Sequence, residues 1–363
     1  MQGGVGLGLF LAGWAAGWLL LARPRALPAA EPAASRPTVS VVIPARDEER
    51  SIGRAVESAV RQLREGDEVL VVDDHSHDRT ATVARAAGAR VFAAPDLPPG
   101  WAGKPHACSV GAAAAGGEVL VFVDADVTLG VGALDAIAAL STAPGQRPRI
   151  VSVQPWHRTG SAVEQLQLCC NLVALMGCVA FTALGRHIRP RVAFGPVLAC
   201  TRDDYLAMGG HGHPDVRGAI LEDIALARRV ARVVLHTGRA PTPERTTAFR
   251  MYPGGWRPMV EGWTKGMGIG ASATPPWAFV LVAAWVASLA AGWLVSPWLS
   301  LVSAAQVVVL ARVAGRWSWW AVVLFPVPLL WFVGICCRSA WRRVARREVS
   351  WKGRQLTPDQ PTR

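Results

Sequence analysis

Asp124 and Asp126 stand one residue apart at the end of the apolar run "EVLVFVDAD" (118–126). Two carboxylates that close repel unless a cation lies between them. An Asp-x-Asp on a loop offers hard oxygen ligands suited to Mg2+ or Mn2+, ions that keep coordination positions open for substrate phosphates. A local alternative is that Asp126 or Thr128 caps the following helix, "LGVGALDAIAAL". A second acidic pair, Glu222–Asp223 in "LEDIALARR", opens another expected helix, whose N-terminus favours ionised carboxylates. Arg46–Asp47–Glu48 and Asp73–Asp74 likewise follow apolar runs.

These groups need a frame. Residues 38–250 alternate short β-rich runs with amphipathic segments. "TVSVVIPA" (38–45), "EVLVVDD" (68–74), "ARVFAA" (89–94) and 118–126 read as strands, with helices expected over 51–63, 78–88 and about 105–115. Such alternation predicts a doubly wound, mostly parallel α/β sheet, with ligands bound at the carboxyl ends of the strands. The acidic residues fall at those ends. "PARDEE" (44–49) holds no glycine and so no dinucleotide-binding turn, and "GWAGKP" (100–105) lacks phosphate-loop spacing. "GGHGHP" (209–214) reads as a glycine-rich turn rather than a zinc site. "QPWHRTGSAVEQLQLCCNLVALMGCVAF" (154–181) is expected to be a largely apolar buried or amphipathic helix, interrupted by Glu164, Gln165, Gln167 and Asn171.

Hydrophobic residues make up 51% of the 363 and charged ones 18%, and half of the 16 tryptophans lie between Trp277 and Trp331, as at a membrane interface. The net charge of +12 sits largely beside apolar segments, and no aromatic-rich basic motif accompanies it. It points to anionic headgroups and away from nucleic acid. The seven cysteines show no CxxC spacing and read as small buried hydrophobes.

Residues 1–22 form an uncharged N-terminal segment followed at once by Arg23 and Arg25. That polarity predicts an uncleaved anchor with its N-terminus outside and residue 23 onward in the cytoplasm. A Pro/Ala linker is expected over 23–37, an amphipathic interface segment over 251–274, a membrane region over 275–337 and a basic cytoplasmic tail over 338–363. The apolar region divides into candidate helices at about 277–295, 298–314 and 318–337. Three crossings there would put the basic tail outside, against the charge rule, so one segment is expected to be re-entrant or interfacial. The whole is expected to be a multi-pass protein of the cell membrane.

"VSVVIPARDEERSIGRAVESAV", "VLVVDDHSHDRTATVARAAGA", "GEVLVFVDADV" and "GAILEDIALARRV", in order and spacing, resemble the family-2 inverting glycosyltransferases. "PPGWAGKPHAC", "SVQPWH", "AFGPV", "AFRMYPGGWRPMVEGWTKG" and "VSWKGRQ" resemble, more narrowly, its membrane-anchored branch acting on carotenoid acids of the 4,4′-diaponeurosporenoate type. The resemblance implies a GT-A-type fold and a nucleotide pocket lined by Pro44, Ala45, Arg46 and Glu48. Asp74 would hold the uridine and Lys104 would reach its phosphates. It implies Asp124 and Asp126 as the Mg2+ or Mn2+ pair, with Asp126 favoured as the direct ligand, and Asp223 as base beside Glu222. His157, Phe194, Gly195 and Pro196 would lie near the acceptor, with Trp263 on a membrane-surface helix facing it. The implied reaction moves a hexose from a UDP-sugar to a lipid-soluble acceptor, a carotenoid acid or another lipid. Polymerising members carry Gln-x-x-Arg-Trp, which "GGWRPMVEGWTKG" does not match, so transfer of a single sugar is expected.

Overall fold

In the computed structural model, residues 2–29, 36–185 and 187–345 are described, with backbone alone at 349–351 and 354–356 and no side chains before Gly6. The chain forms two compact units. One comprises residues 25–156 and 190–249, the other residues 1–24, 157–189 and 250–363.

The first unit is built on a seven-stranded sheet. Its strands are β1 (Val39–Ala45), β2 (Glu68–Asp73), β3 (Arg90–Ala93), β4 (Val119–Val123), β5 (Arg149–Gln154), β6 (Val197–Thr201) and β7 (Arg232–Thr237), in the order β3-β2-β1-β4-β6-β5-β7. The β1/β2, β2/β3, β1/β4 and β5/β7 pairs are parallel; β4/β6 and β5/β6 are antiparallel. Val39, Val41, Val42 and Ile43 of β1, like all of β4, are buried without alternation, because helices cover both faces of a parallel centre. The order reverses between β1 and β4, so the crevice beyond their carboxyl ends is the switch point where such sheets bind ligands. Arg46–Glu48 follow β1 and Asp124–Asp126 follow β4 at that crevice.

Helix Gly103–Ala114 crosses close above the sheet because residue 111 is glycine; a Cβ there would come within 2.3 Å of Val42 Cγ1. Helix Ala133–Thr142 begins at Gly132, with φ 78° and no side-chain cap, so neither Asp126 nor Thr128 is occupied in capping it. The start of the expected linker is not free. Thr237 N–H donates to Arg25 O (2.7 Å) and Leu27 N–H to Thr237 O (3.3 Å), fastening residues 25–27 to the edge of β7. Linker residues 30–35 lie outside the described residues.

In the second unit, helices Pro276–Val295 and Pro297–Ala314 are, by length and composition, able to cross a membrane. Both begin on a proline, whose missing N–H costs nothing at that position. The N-terminal helix, Gln2–Leu20, packs against Pro276–Val295 with Phe10 beside Gly292 and Gly17 beside Trp285, so the two run antiparallel. Its small residues allow the approach: a Cβ on Gly13 would meet Ala284 O at 2.3 Å and Ser288 Cβ at 2.7 Å, and one on Gly17 would meet the Trp285 ring at 2.5 Å. Its described apolar stretch, Gly6–Leu20, is shorter than either C-terminal helix. Gln306 joins three helices, accepting from Trp285 Nε1 (2.9 Å) and donating to Trp14 O (2.6 Å).

Two expectations are corrected here. The third apolar segment is broken into helices Trp319–Val323 and Pro326–Val344, the latter running on into Arg338, Arg342 and Arg343. The run 154–181 is not one helix: Trp156–Arg158 is a strand, Val163–Gln167 a 3-10 turn, and only Leu168–Gly177 α-helical. Pro155, Gly160 and the polar side chains break what composition alone suggests. Beyond Ala345 the basic tail lies largely outside the described residues.

Candidate active site

The two acidic pairs meet around one ammonium group. Lys104 Nζ lies 2.7 Å from Asp124 Oδ1 and 2.7 Å from Glu222 Oε1. Lys104 stands in the first turn of Gly103–Ala114, and the loop before it is tied down where Ala102 N–H donates to Arg217 O (2.7 Å). Asp124 leaves the end of β4 with its N–H donating to Pro196 O (2.9 Å). The antiparallel β4/β6 register sets Val197 opposite Val123, which brings Phe194–Gly195–Pro196 to the same end of the sheet. Phe194 is pinned by Ser152, whose Oγ accepts from its N–H (2.7 Å) and donates to its carbonyl (3.1 Å). Gly195 faces the charged cluster directly. A Cβ there would stand 3.1 Å from Asp223 Oδ2 and 3.2 Å from Lys104 Nζ.

Neighbouring acids are driven apart in proton affinity. Burial alone would raise the Glu222 carboxyl, but the charge and hydrogen bond of Lys104 overcome it and hold Glu222 below its ordinary value. Asp223 is pushed up to about 7, first by burial and then by the negative charge of Glu222. Burial opposes the charge on Lys104, yet Asp124 and Glu222 keep its pKa well raised. Asp126 is pushed up to about 8 by burial and by the charges of Asp124 and Glu48. Paired carboxylates with separated affinities are the signature of an acid–base site.

Asp126 has no ion-pair partner among the described residues, although Asp124 and Glu48 add to the negative field around it. A carboxylate with no ion-pair partner among the described residues, beside two others, fits a divalent cation, and Asp124 and Asp126 are the residues that would hold one. No group of three His, Cys, Asp or Glu side chains is poised around a metal among the described residues. A cation held by the pair would take its remaining ligands from elsewhere, as magnesium sites serving phosphates do.

The loops after β1 and β2 form one cross-linked floor. Asp47 N–H donates to Ser76 Oγ (3.0 Å), His77 N–H to Asp47 Oδ1 (2.7 Å) and Glu48 N–H to Thr80 Oγ1 (2.7 Å). The Glu48 carboxylate accepts from Ser51 Oγ (2.6 Å). Arg46 Nη1 donates to Asp74 O (3.1 Å), and Asp74 N–H donates to Ala45 O (2.8 Å), one residue past Pro44. Sequence reasoning passed over His75, whose Nδ1 lies 3.3 Å from Asp74 Oδ1 and whose φ is 57°. A non-glycine residue in a left-handed turn beside two aspartates was the available signal.

His157 and Trp263 belong to the helical unit. His157 is fully buried, with its ring centroid 5.3 Å from that of Trp317 and its pKa lowered to about 4 by burial. Trp263 is buried with Nε1 donating to Gln167 Oε1 (2.9 Å), whereas Trp256, seven residues earlier, is exposed. Both His157 and Trp263 are buried within that unit. In "GGHGHP", Tyr205 bonds His211 within a buried cluster (3.0 Å), and His213 Nδ1 accepts from Asp215 N–H.

The sheet is that of a GT-A-like fold. The Glycosyl transferase family 2 model matches residues 40–145, and the chain belongs to that family. It is 33% identical, over 342 residues, to the 4,4′-diaponeurosporenoate glycosyltransferase of Staphylococcus aureus strain MRSA252, covering 88% of each chain. Against the enzyme so named from Staphylococcus haemolyticus strain JCSC1435 it is 36% identical, over 69% of this chain and 66% of that one. Among solved structures, the mannosyltransferase PcManGT of Pyrobaculum calidifontis, in complex with GDP-Man and Mn2+, shares the fold. Its TM-score is 0.55 at 18% identity, covering 94% of this chain and all of that one.

Proposed function

We propose that this glycosyltransferase moves one hexose from a UDP-sugar to a lipid-soluble acceptor with inversion at the anomeric carbon, and that the acceptor is a carotenoid acid. The observation that carries the reading is the Lys104–Asp124–Glu222–Asp223 cluster at the β1/β4 switch point, with Asp126 beside it. The names of the staphylococcal relatives support the acceptor class.

The chemistry follows from the proton affinities. Asp223, with an affinity near neutrality, accepts the proton of a hydroxyl acceptor as its oxygen attacks the anomeric carbon and the bond to the diphosphate breaks. If the acceptor is already a carboxylate, its oxygen attacks directly and Asp223 serves orientation alone. Lys104 keeps Glu222 ionised and fixes Asp124 at the strand end. Arg46, Glu48 and Asp74 hold the nucleoside on the cross-linked floor. A divalent cation bound at Asp124 and Asp126 would supply charge stabilisation to the departing diphosphate.

Membrane placement follows from parity. One crossing by the N-terminal helix and two by Pro276–Val295 and Pro297–Ala314 return the chain to the side where Arg23 and Arg25 lie. The broken third segment then keeps Arg338, Arg342 and Arg343 on that cytoplasmic side, consistent with the positive-inside rule. This arrangement supports a multi-pass protein of the cell membrane.

Lipid extraction and mass spectrometry of cells expressing the chain with a carotenoid acid test the reaction. A hexose-sized mass gain on the pigment is expected. A gain on a different lipid, or none, would overturn the acceptor assignment.

A further inference from the structure

Within the helical unit a cavity of about 610 Å³ opens beside the loop that follows helix Pro297–Ala314. Its walls are Thr159, Ser161, Gln165, Arg316, Trp317 and Trp320, with no carboxylate among its lining residues. The wall is built, not incidental. Gly315–Arg316 pairs in parallel with His157–Arg158, and only glycine permits that approach, since a Cβ at 315 would lie 2.6 Å from His157 O. Thr159 Oγ1 donates to Arg316 O (2.6 Å), Gln165 Nε2 donates to Thr159 Oγ1 (2.6 Å) and Ser318 N–H donates to Gln165 Oε1 (2.9 Å).

That register sets Arg316 directly opposite Arg158, both exposed, and no acid pairs with either among the described residues. Like charges held side by side without a counter-charge repel. The nearby acid, Glu164, is committed to Arg250 at 2.7 Å and to Gly160 N–H. The cationic pair therefore lacks a protein counter-charge among the described residues, and Arg316 stands two residues beyond the end of an apolar helix, beside three tryptophans at 317, 319 and 320. Indoles and arginines at the end of such a helix occupy headgroup depth.

We infer that this cavity is a binding site for the phosphate-bearing headgroup of an anionic membrane phospholipid, held by Arg316, with Arg158 opposite it on the paired strand, and flanked by Trp317 and Trp320. The inference rests on the membrane placement of Pro297–Ala314 and is independent of the sugar-transfer chemistry.

The test uses the full-length protein, delipidated in detergent and titrated by native mass spectrometry with phosphatidylglycerol, phosphatidylcholine and inorganic phosphate. Wild type is expected to retain phosphatidylglycerol in preference to phosphatidylcholine. Arg158→Gln with Arg316→Gln should weaken phosphatidylglycerol binding roughly thirtyfold, the combined effect of two cations at an anionic surface. Arg316→Lys, which keeps the charge, should retain part of the preference and guards against loss through misfolding. Unchanged phosphatidylglycerol binding in the double variant, or equal binding of the two lipids, would overturn the site. Inorganic phosphate competing as well as the lipid would assign a soluble anion in its place. Flotation of the double variant with membranes keeps failure of the site distinguishable from failure of the membrane placement.

Discussion

At the scale of single residues, one lysine divides two adjacent acids in proton affinity, holding Glu222 ionised while Asp223 is raised. Asp223→Asn removes the base but no charge that holds the nucleotide. Turnover on a hydroxyl acceptor should fall by about 10²–10⁴-fold with UDP affinity kept, measured by initial rates beside calorimetric titration. Because the Asp223 pKa is raised to about 7, the base is protonated below that value and free above it. The wild-type rate on a hydroxyl acceptor should therefore climb as pH rises through 7 and then level, and Asp223→Asn should lose that limb. Gly195→Ala places a methyl 3.1 Å from Asp223 Oδ2 and 3.2 Å from Lys104 Nζ. It should lower kcat with a change in Tm of only a few degrees. The acidic pairs were legible in the sequence because carboxylates at the ends of apolar runs have few structural reasons to be there. The pairing of Lys104 with Glu222 was not, because only the fold joins positions so distant along the chain.

Among the elements, the central strands were readable because strands buried on both faces give unbroken apolar runs bounded by polar loops. The antiparallel insertion of β6 between β4 and β5 was not readable, since pairing order leaves no mark on local composition. Residues 154–167 misled because the apolar stretch that follows, Leu168–Gly177, extended the helical reading back across Pro155, Gly160 and a run of polar side chains. Gly111 offers a test of how Gly103–Ala114 is held. Alanine normally stabilises a helix relative to glycine by about 1 kcal/mol. Here the added carbon would meet Val42 Cγ1 at 2.3 Å, so overpacking of about 1–3 kcal/mol should win and thermal denaturation should show a lower Tm.

For the molecule as a whole, the length of the apolar C-terminal region was evident but its number of crossings was not. The division at Leu324–Phe325 and the prolines at 326 and 328 turn an apparent third span into two pieces. Deleting residues 1–22 should leave the protein in the membrane fraction through Pro276–Val295 and Pro297–Ala314; release into the soluble fraction would contradict that placement. Stability should also respond to acid. His157 and His211 are held neutral by burial with pKa values of about 4, below the unfolded value near 6.5. The unfolded chain binds protons first, so their contribution is intact above pH 6.5 and falls as pH drops towards 4, by roughly 3 kcal/mol for each histidine. Denaturant midpoints measured across that range check it.

The claim beneath all of these is that Asp124 and Asp126 join a nucleoside diphosphate to the protein through a divalent cation. Calorimetric titration of UDP into the full-length protein, with Mn2+ and with chelator, compares wild type with Asp126→Ala. Binding that requires Mn2+ and weakens at least about tenfold in the variant is expected. Equal UDP affinity in the two proteins, or affinity indifferent to Mn2+, would contradict the account.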